Sequence, residues 1–249
     1  MAGFVDAIVG GGGLIQLPAM MILLPTLSLP QIMATNKTAN FFGTSLAAYR
    51  YSKKVQVNWS ILSPAMVFAF IGSYGGALLV SHIHKDDFMP YIIVALVVVL
   101  IYTIFSSKLG LEHKEKNLSG TTYYLLSLLI GGCIGFYDGL IGPGTGSFMI
   151  FAFIMLFGYN FLYASANAKI LNCVTNIAAL LFFLAKGFVL WSYAIPIGLA
   201  NMAGSYTGSH LALKKGSSFI RIFFIIVVIA LIVKLSSTYV LPLIKVHYN

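Results

Sequence analysis

Charge is the scarcest property of this 249-residue chain: charged residues make up 8% of it, and only six are Asp or Glu. A soluble domain carries about 25% charged residues, so this chain has too few to cover a surface that faces water. Hydrophobic residues make up 59%, and the mean hydropathy is +0.93. The scarcity of charge excludes a soluble enzyme, a secreted disulfide scaffold and a disordered tail. It predicts an all-α, polytopic helical membrane protein.

Cysteine and clustered metal ligands are also scarce. Cys133 and Cys173 both lie in apolar stretches, where a small buried hydrophobe is the ordinary role. His82, His84 and His113 lie in polar loops, and none has a partner at metal-ligand spacing. No Ser/His/Asp or Cys/His set is available at membrane depth. We therefore expect no cofactor, no bound metal and no enzymatic activity.

The chain contains a gap-free internal repeat, which is visible when residue 3 is set against residue 135, an offset of 132 positions. Both tryptophans match each other, and so do two lysines within apolar segments. The identities are Gly3/Gly135, Phe4/Phe136, Asp6/Asp138, Gly10/Gly142, Gly12/Gly144, Ala34/Ala166, Lys37/Lys169, Asn40/Asn172, Trp59/Trp191, Ser60/Ser192, Pro64/Pro196, Gly72/Gly204, Ser73/Ser205, Tyr74/Tyr206 and Gly76/Gly208. We therefore divide the chain into two transmembrane repeats, residues 1–116 and 117–249.

Each repeat contains four apolar segments, which lie at 3–28, 31–50, 58–80 and 88–106, and at 121–158, 163–184, 189–211 and 219–243. The segment at 121–158 is too long for one helix. It predicts two arms of about 14 residues, each about 21 Å long, on either side of a Gly-rich break from Gly135 to Gly146. Repeat 1 lacks a counterpart of the first arm. We expect that this arm is missing because the start at Met1 is truncated or misassigned.

The basic residues of the loops bear on topology. If the broken segments cross the membrane, eight of the twelve loop Lys and Arg residues lie on one face of the membrane and four on the other. If the broken segments fold back as re-entrant hairpins, the division is nine to three. The nine are Arg50, Lys53, Lys54, Lys108, Lys114, Lys116, Lys214, Lys215 and Arg221. Because cytoplasmic loops are enriched in Lys and Arg, the second split is favoured by one residue, and it makes the repeats inverted copies. The net charge of +9 indicates contact with anionic lipid rather than with nucleic acid.

Two of the six acids, Asp6 and Asp138, lie inside apolar segments, each in the motif Gly-Phe-x-Asp-x-(Ile/Leu)-x-Gly-x-Gly. A carboxylate is costly at membrane depth, and an intramembrane ionisable residue is functional by default. The alternative is a structural acid that caps a half-helix or pairs with a lysine. The other four acids, in polar loops, are Asp86, Asp87, Glu112 and Glu115.

Glycine-rich stretches follow both aspartates, at residues 10–13 and 142–146. Glycine permits positive φ and Pro143 lacks a backbone donor, so both stretches predict unwound breaks. A helix that begins after a break directs its free N–H groups and positive dipole end toward an anion. The candidate anion-binding residues of the breaks are Gly11, Gly12, Gly13, Gly144 and Thr145. Close helix packing through small residues is the alternative.

Lys37 and Lys169 each precede an asparagine by three positions, Asn40 and Asn172 respectively. On a helix this spacing places an ammonium and a carboxamide on one face, a combination suited to binding an oxyanion. The further hydrogen-bonding candidates nearby are Asn36, Thr38 and Asn167. The alternative is that the lysines snorkel to the membrane interface.

These motifs resemble the TauE/SafE sulfite exporter family. The resemblance rests on residues 3–14, Pro18, 34–37, 135–146 and 166–169, and it covers almost the whole chain. It implies a multi-pass permease of the inner membrane that exports sulfite or small organosulfonates. It carries over to Asp6, Gly10 to Gly13, Asn36, Lys37, Asp138, Gly142 to Gly146 and Lys169. Pro143 and Thr145 stand where the family's second motif has glycines, so we expect the two halves of the site to be unequal.

The sequence therefore predicts a secondary transporter of sulfite or small organosulfonate anions that works by alternating access between opposed repeats. Asp6 and Asp138 would pair with the lysines in the empty site or carry a coupling proton. An anion or proton channel with an Asp- and Lys-lined pore is the alternative. The expected partners are the small anion and membrane lipid, and the oligomeric state stays open, a homo-oligomer included.

Overall fold

The computed structural model describes residues 1–80, 97, 100, 101, 104, 109–116, 118–235 and 237, and within these ranges it contains helices and turns but no β-strand. The helices are α1 (Ala2–Val9), α2 (Gly12–Leu23), α3 (Leu29–Ser52), α4 (Trp59–Leu79), α5 (Gly120–Leu128), α6 (Gly135–Leu140), α7 (Thr145–Phe157), α8 (Phe161–Ala185) and α9 (Trp191–Leu235). A π-helical turn, Leu129–Ile134, joins α5 to α6. The all-α prediction is confirmed. The predicted apolar segment at 88–106 lies largely outside the described residues.

Polar side chains fix where several helices begin. At the start of α3, the Ser28 N–H donates to Gln31 Oε1 at 3.1 Å, and Pro30 occupies the first turn. Asn58 caps α4 and Asn160 caps α8, each accepting a backbone N–H through its side-chain oxygen. These caps satisfy N–H groups that have no partner within the helix.

Three helical stretches of the described residues are long and apolar enough to span a bilayer: Leu62–Leu79, Gly120–Leu140 and Phe161–Ala185. The helix α3 is nearly as long as α8, at 24 residues against 25. It carries a polar run, residues 35–38, but that run is buried inside the protein. The polar residues that lower the hydropathy of α3 therefore face the interior of the protein and not water.

The two glycine-rich breaks are shorter than predicted, and they contact each other. The chain departs from helix at Gly10, with φ 76°, and at Gly142 and Gly144, both with φ 85°. A Cβ atom at Gly10 would collide with the backbone of Gly146. Ser147 Oγ, in the next helix, donates to Val9 O at 2.7 Å.

The prediction that the second break extends from Gly135 to Gly146 is wrong at both ends, because residues 135–140 and 145–157 are helical. The first arm, Gly120–Leu140, has 21 residues rather than about 14. Glycine at Gly12 and Gly135 serves close packing instead: an added Cβ would lie 2.6 Å from Asp6 Cβ at the first and 2.9 Å from Ala69 at the second. The packing alternative thus accounts for some of these glycines, and unwinding for the others.

The broken segment of repeat 2 folds back on itself. The Lys116 N–H, shortly before α5, donates to Phe157 O at the end of α7, at 3.0 Å. The ring centroid of Tyr123, in the first turns of α5, lies 5.9 Å from that of Phe157. The start of α5 and the end of α7 therefore lie at the same end of the molecule.

The corresponding helices α3 and α8 run antiparallel. At one end, Arg50 Nη2 near the end of α3 lies 3.4 Å from His210 Nδ1 of α9, and the N–H of Leu162 at the start of α8 donates to Ser217 of α9 at 3.2 Å. At the other end, the backbone N–H just before α9 donates to Thr35 Oγ1 near the start of α3, at 3.3 Å.

The repeats are interleaved through their Gly-Ser-Tyr-x-Gly stretches, residues 72–76 of α4 and 204–208 of α9. The first packs on α6 of the other repeat, where a Cβ at Gly76 would collide with the backbone of Phe136. The second packs on α1, where Ser205 Oγ donates to Gly3 O at 3.1 Å. Each repeat therefore supports the broken helix of the other.

Candidate functional site

Two buried ion pairs join the repeats. Lys37 Nζ lies 2.6 Å from Asp138 Oδ2, and Lys169 Nζ lies 3.0 Å from Asp6 Oδ2. The pairing is reciprocal, because each lysine meets the aspartate of the other repeat. The lysine side chains are 3% and 0% exposed, which excludes snorkelling to the membrane interface.

The elements that hold these charges are the ones the repeat predicts. Each lysine lies eight residues after the first residue of its helix, Leu29 or Phe161, which is about 12 Å along the axis. Asp6 and Asp138 lie one turn before the breaks. Thr44 Oγ1 adds a hydrogen bond to Asp6 Oδ2, at 3.3 Å. Such pairing is needed because an isolated buried charge is strongly destabilising.

A small cavity lies where the two breaks meet α3 and α8. It is lined by Asp6, Gly10, Gly13, Asn36, Lys37, Asn40, Thr44, Asp138, Gly142, Gly146, Asn172 and Asn176. Its volume is about 20 Å³, which is room for about one water molecule. The cavity is therefore narrow, and a ligand larger than water fits only after the lining moves apart.

Seven of the predicted site residues line this cavity: Asp6, Gly13, Asn36, Lys37, Asn40, Asp138 and Asn172. Seven others lie outside its lining: Gly11, Gly12, Thr38, Gly144, Thr145, Asn167 and Lys169. Three of these make bonds within their own helix or turn. Thr38 Oγ1 donates to Ala34 O at 2.8 Å, Asn167 Nδ2 to Tyr163 O at 2.8 Å, and Thr145 Oγ1 to Gly142 O at 2.7 Å.

The equivalent lysines are placed differently. Lys37 lines the cavity together with its partner Asp138. Lys169 lies behind the lining and reaches the cavity only through Asp6. The second break is also held differently, because Tyr137 Oη donates to Pro143 O at 2.5 Å, whereas repeat 1 has Val5 in place of this tyrosine.

Two lining residues, Thr44 and Asn176, escape the sequence prediction, whereas Gly10, Gly142 and Gly146 lie in the stretches that the family resemblance carries over. Thr44 and Asn176 are related by the repeat offset and lie one helical turn after Asn40 and Asn172. Asn176 Nδ2 donates to Asn172 Oδ1 at 3.2 Å. They are missed because a comparison limited to identical residues overlooks a threonine that matches an asparagine, although both carry a hydrogen-bonding side chain.

The cavity lining includes one buried acceptor that is unmatched within the described residues. Asn36 lines the cavity and is 4% exposed, and its Oδ1 has no hydrogen-bond partner among the described residues. Buried polar groups are normally satisfied. Among the described residues, no group of three or more His, Cys, Asp and Glu side chains could hold a metal ion. The arrangement instead offers ammonium, carboxamide and backbone groups to a small polar solute.

The family model described as sulfite exporter TauE/SafE matches residues 1–235. The chain is 36% identical over 227 residues to the probable membrane transporter protein YfcA of Escherichia coli, covering 91% of this chain and 82% of that protein. It is 36% identical over 236 residues to the probable membrane transporter protein ORF9 of a Sinorhizobium species, covering 94% and 88%. It is 38% identical over 230 residues to a probable membrane transporter protein of Haemophilus influenzae, covering 89% and 85%.

No solved structure matches the chain. The similarity covers both repeats, the two Asp-containing breaks and the two buried lysines. The chain therefore belongs to the TauE/SafE sulfite exporter family of membrane transporters.

Proposed function

We propose that the chain is a secondary transporter that moves sulfite or a small organosulfonate anion across the inner membrane by alternating access, coupled to protons. One observation carries the proposal: three of the four charged side chains of the two reciprocal Lys–Asp pairs line a small polar cavity between two broken helices. Ammonium groups, carboxamides and helix N-termini are the groups that bind a small oxyanion.

The charges of the site indicate why a proton would accompany the anion. Two lysines and two aspartates neutralise each other, so a bound anion would leave a net negative charge in a buried site. That charge is costly at membrane depth. Protonation of Asp138 removes it and frees the Lys37 ammonium for the substrate. A monoanion and a proton would then cross together without net charge.

The small volume of the cavity favours a carrier over a permanently open pore. A volume of about 20 Å³ is too small for an anion with three oxygens, since it holds about one water molecule. Opening requires the contact between Gly10 and Gly146 to separate. The antiparallel course of α3 and α8 supports inverted repeats, which commonly rock about a site at mid-membrane.

The distribution of basic residues supports an orientation. The end of α3, the start of α8, the end of α7 and the kink of α9 at Gly216 lie together. This end carries seven of the nine basic residues that the hairpin topology groups together: Arg50, Lys53, Lys54, Lys114, Lys116, Lys214 and Lys215. We place this end in the cytoplasm, because loops there are enriched in Lys and Arg.

Uptake of labelled sulfite by proteoliposomes tests the proposal. The wild type should take up sulfite, and an inwardly directed movement of protons should follow its entry. A double variant, Lys37→Met with Asp138→Leu, replaces the whole ion pair by apolar side chains of similar size, a change that buried pairs often tolerate. It should elute as a folded protein and lose uptake. Wild-type rates in this folded variant would refute the proposed site.

A further inference from the structure

A third buried polar cluster adjoins the cavity, on one side only. Asn201 Nδ2 of α9 donates to Gln16 Oε1 of α2 at 2.7 Å and lies 3.3 Å from Asn40 Oδ1. Gln16 and Asn201 are 6% and 5% exposed. Asn40 belongs both to this cluster and to the cavity lining. The three amides therefore form a buried polar cluster behind the cavity lining, between α2, α3 and α9.

The side-chain N–H donor of Gln16 has no partner among the described residues. Its Nε2 atom is buried. A buried donor without a partner is unfavourable. Gln16 lies one helical turn after Gly13, on the same face of α2, and Gly13 lines the cavity. An acceptor atom on a substrate held in an enlarged cavity could complete this hydrogen bond.

The equivalent place beside the second break is filled with apolar residues, one from each repeat. The repeat offset relates Gln16 to Phe148 and Asn201 to Ala69. The Phe148 ring packs edge-on against Tyr137, with ring centroids 5.5 Å apart, and Ala69 lies against Gly135. The fold is therefore built without amides on that side, so packing alone does not require them on the other.

We propose that Gln16 and Asn201 are specificity-determining residues, which bind a second hydrogen-bond acceptor of the transported anion. This inference rests on the proposed anion transport. The anionic head would lie at Lys37 and the breaks, and the second acceptor about one helical turn away, roughly 5 Å. The matching substrate class is a sulfonate with a hydroxyl or carboxylate oxygen on its carbon chain. Sulfite has no such second group.

A matched pair of probes isolates this contact: 2-hydroxyethanesulfonate and ethanesulfonate differ by one hydroxyl. Each competes with labelled sulfite for uptake by wild-type proteoliposomes. The hydroxylated probe should compete roughly fivefold to tenfold better, as one hydrogen bond provides. Two variants should bring this ratio close to one: Gln16→Leu and Asn201→Ala. The alanine is the residue that repeat 1 has at the position equivalent to Asn201. The ratio of the two probes is the readout, so a change in sulfite uptake that affects both probes alike does not alter it.

Gln56→Leu is the control, because Gln56 is an exposed glutamine in the turn after α3, and it should keep the wild-type ratio. Equal competition by the two probes in the wild type would overturn the inference while leaving sulfite transport intact. An unchanged ratio in both folded variants would also overturn it. Absence of any anion uptake by the wild type would instead refute the proposed function, and the inference with it.

Discussion

The Lys37–Asp138 and Lys169–Asp6 pairs occupy equivalent positions in the two repeats, yet they meet the cavity differently. Both members of the first pair line the cavity, whereas only the aspartate of the second does. The second pair is also braced by Thr44, which donates to Asp6. One ion pair therefore lies where a ligand in the cavity can contact both of its members, whereas the lysine of the equivalent pair lies behind the lining. We interpret the Lys37–Asp138 pair as the one that binds substrate, and the Lys169–Asp6 pair as one that stabilises the structure of the site.

The largest expected effect separates the two lysines. Lys37→Gln should reduce sulfite uptake by about 30-fold to about 5,000-fold, because loss of a buried charged contact costs about 2–5 kcal/mol. Lys169→Gln should act mainly on stability, since it leaves Asp6 without its buried partner. Uptake rates and thermal unfolding of the purified proteins measure the two effects. Equal loss of uptake in both variants would show that the two pairs act alike.

The aspartates should differ in proton coupling. Asp138→Asn keeps the shape of the side chain, but its amide cannot carry the coupling proton. A pH gradient should therefore no longer drive the accumulation of sulfite. Accumulated sulfite should fall about 30-fold, which corresponds to about 2 kcal/mol. Wild-type uptake should rise as the external proton concentration rises, because the proton is carried with the anion, and the variant should lose this dependence. Asp6→Asn should retain it. A pH-sensitive dye inside the vesicles reports the proton movement, and persistence of that signal in Asp138→Asn would exclude Asp138 as the carrier.

The two breaks should tolerate a methyl group unequally. Gly10→Ala places a Cβ in collision with the backbone of Gly146, whereas Gly142→Ala places it 3.3 Å from Asp138 O and from the flexible end of Lys37. Both substitutions strain a positive φ, so the difference between them reports the backbone contact. We expect Gly10→Ala to lower uptake about tenfold more than Gly142→Ala, a difference of about 1.4 kcal/mol.

Gly75→Ala is the control for these glycines, because a Cβ there meets nothing within 4 Å. It should leave uptake unchanged and raise helix stability slightly. If Gly142→Ala proved the more harmful substitution, the contact between the breaks would have no special part in transport.

The smallest expected effect concerns the support of Asp6. Thr44→Val removes the hydroxyl that donates to Asp6 and keeps the shape of the side chain. Uptake should fall only about twofold to fivefold, in line with about 0.5–1 kcal/mol for one hydrogen bond. Kinetics with the folded variant measure this loss. A loss as large as that of Lys37→Gln would place Thr44 in the binding site itself.

The repeat made much of the fold predictable. The observed bounds of α3, α4 and α8 lie within about two residues of the predicted segments, because each is a long apolar run bounded by polar caps. The glycine breaks were harder to predict, since the same residue type permits both unwinding and close packing. Gly10 and Gly142 unwind, while Gly12 and Gly135 pack inside helices. A sequence pattern carries no record of which neighbour lies against each glycine.

The site was predictable in its charges and less so in its partners. Scarcity of charge identified Asp6, Asp138, Lys37 and Lys169, because an ionised group within an apolar segment is costly unless it is paired or faces a polar cavity. The reciprocal pairing depends on how helices from different repeats pack, which the sequence of one repeat does not specify. Gln16 and Asn201 were missed for a related reason. They are neutral, they have no counterpart in the other repeat, and they meet only in the folded chain.

The reciprocal pairing also constrains how this molecule could have arisen. A single, unduplicated repeat would hold one buried lysine and one buried aspartate that pair only with groups on another copy. In the duplicated chain each repeat satisfies the buried charges of the other. The two copies can nevertheless differ from each other at other equivalent positions. The amides beside one break and the aromatic ring beside the other are the divergence that this freedom allowed.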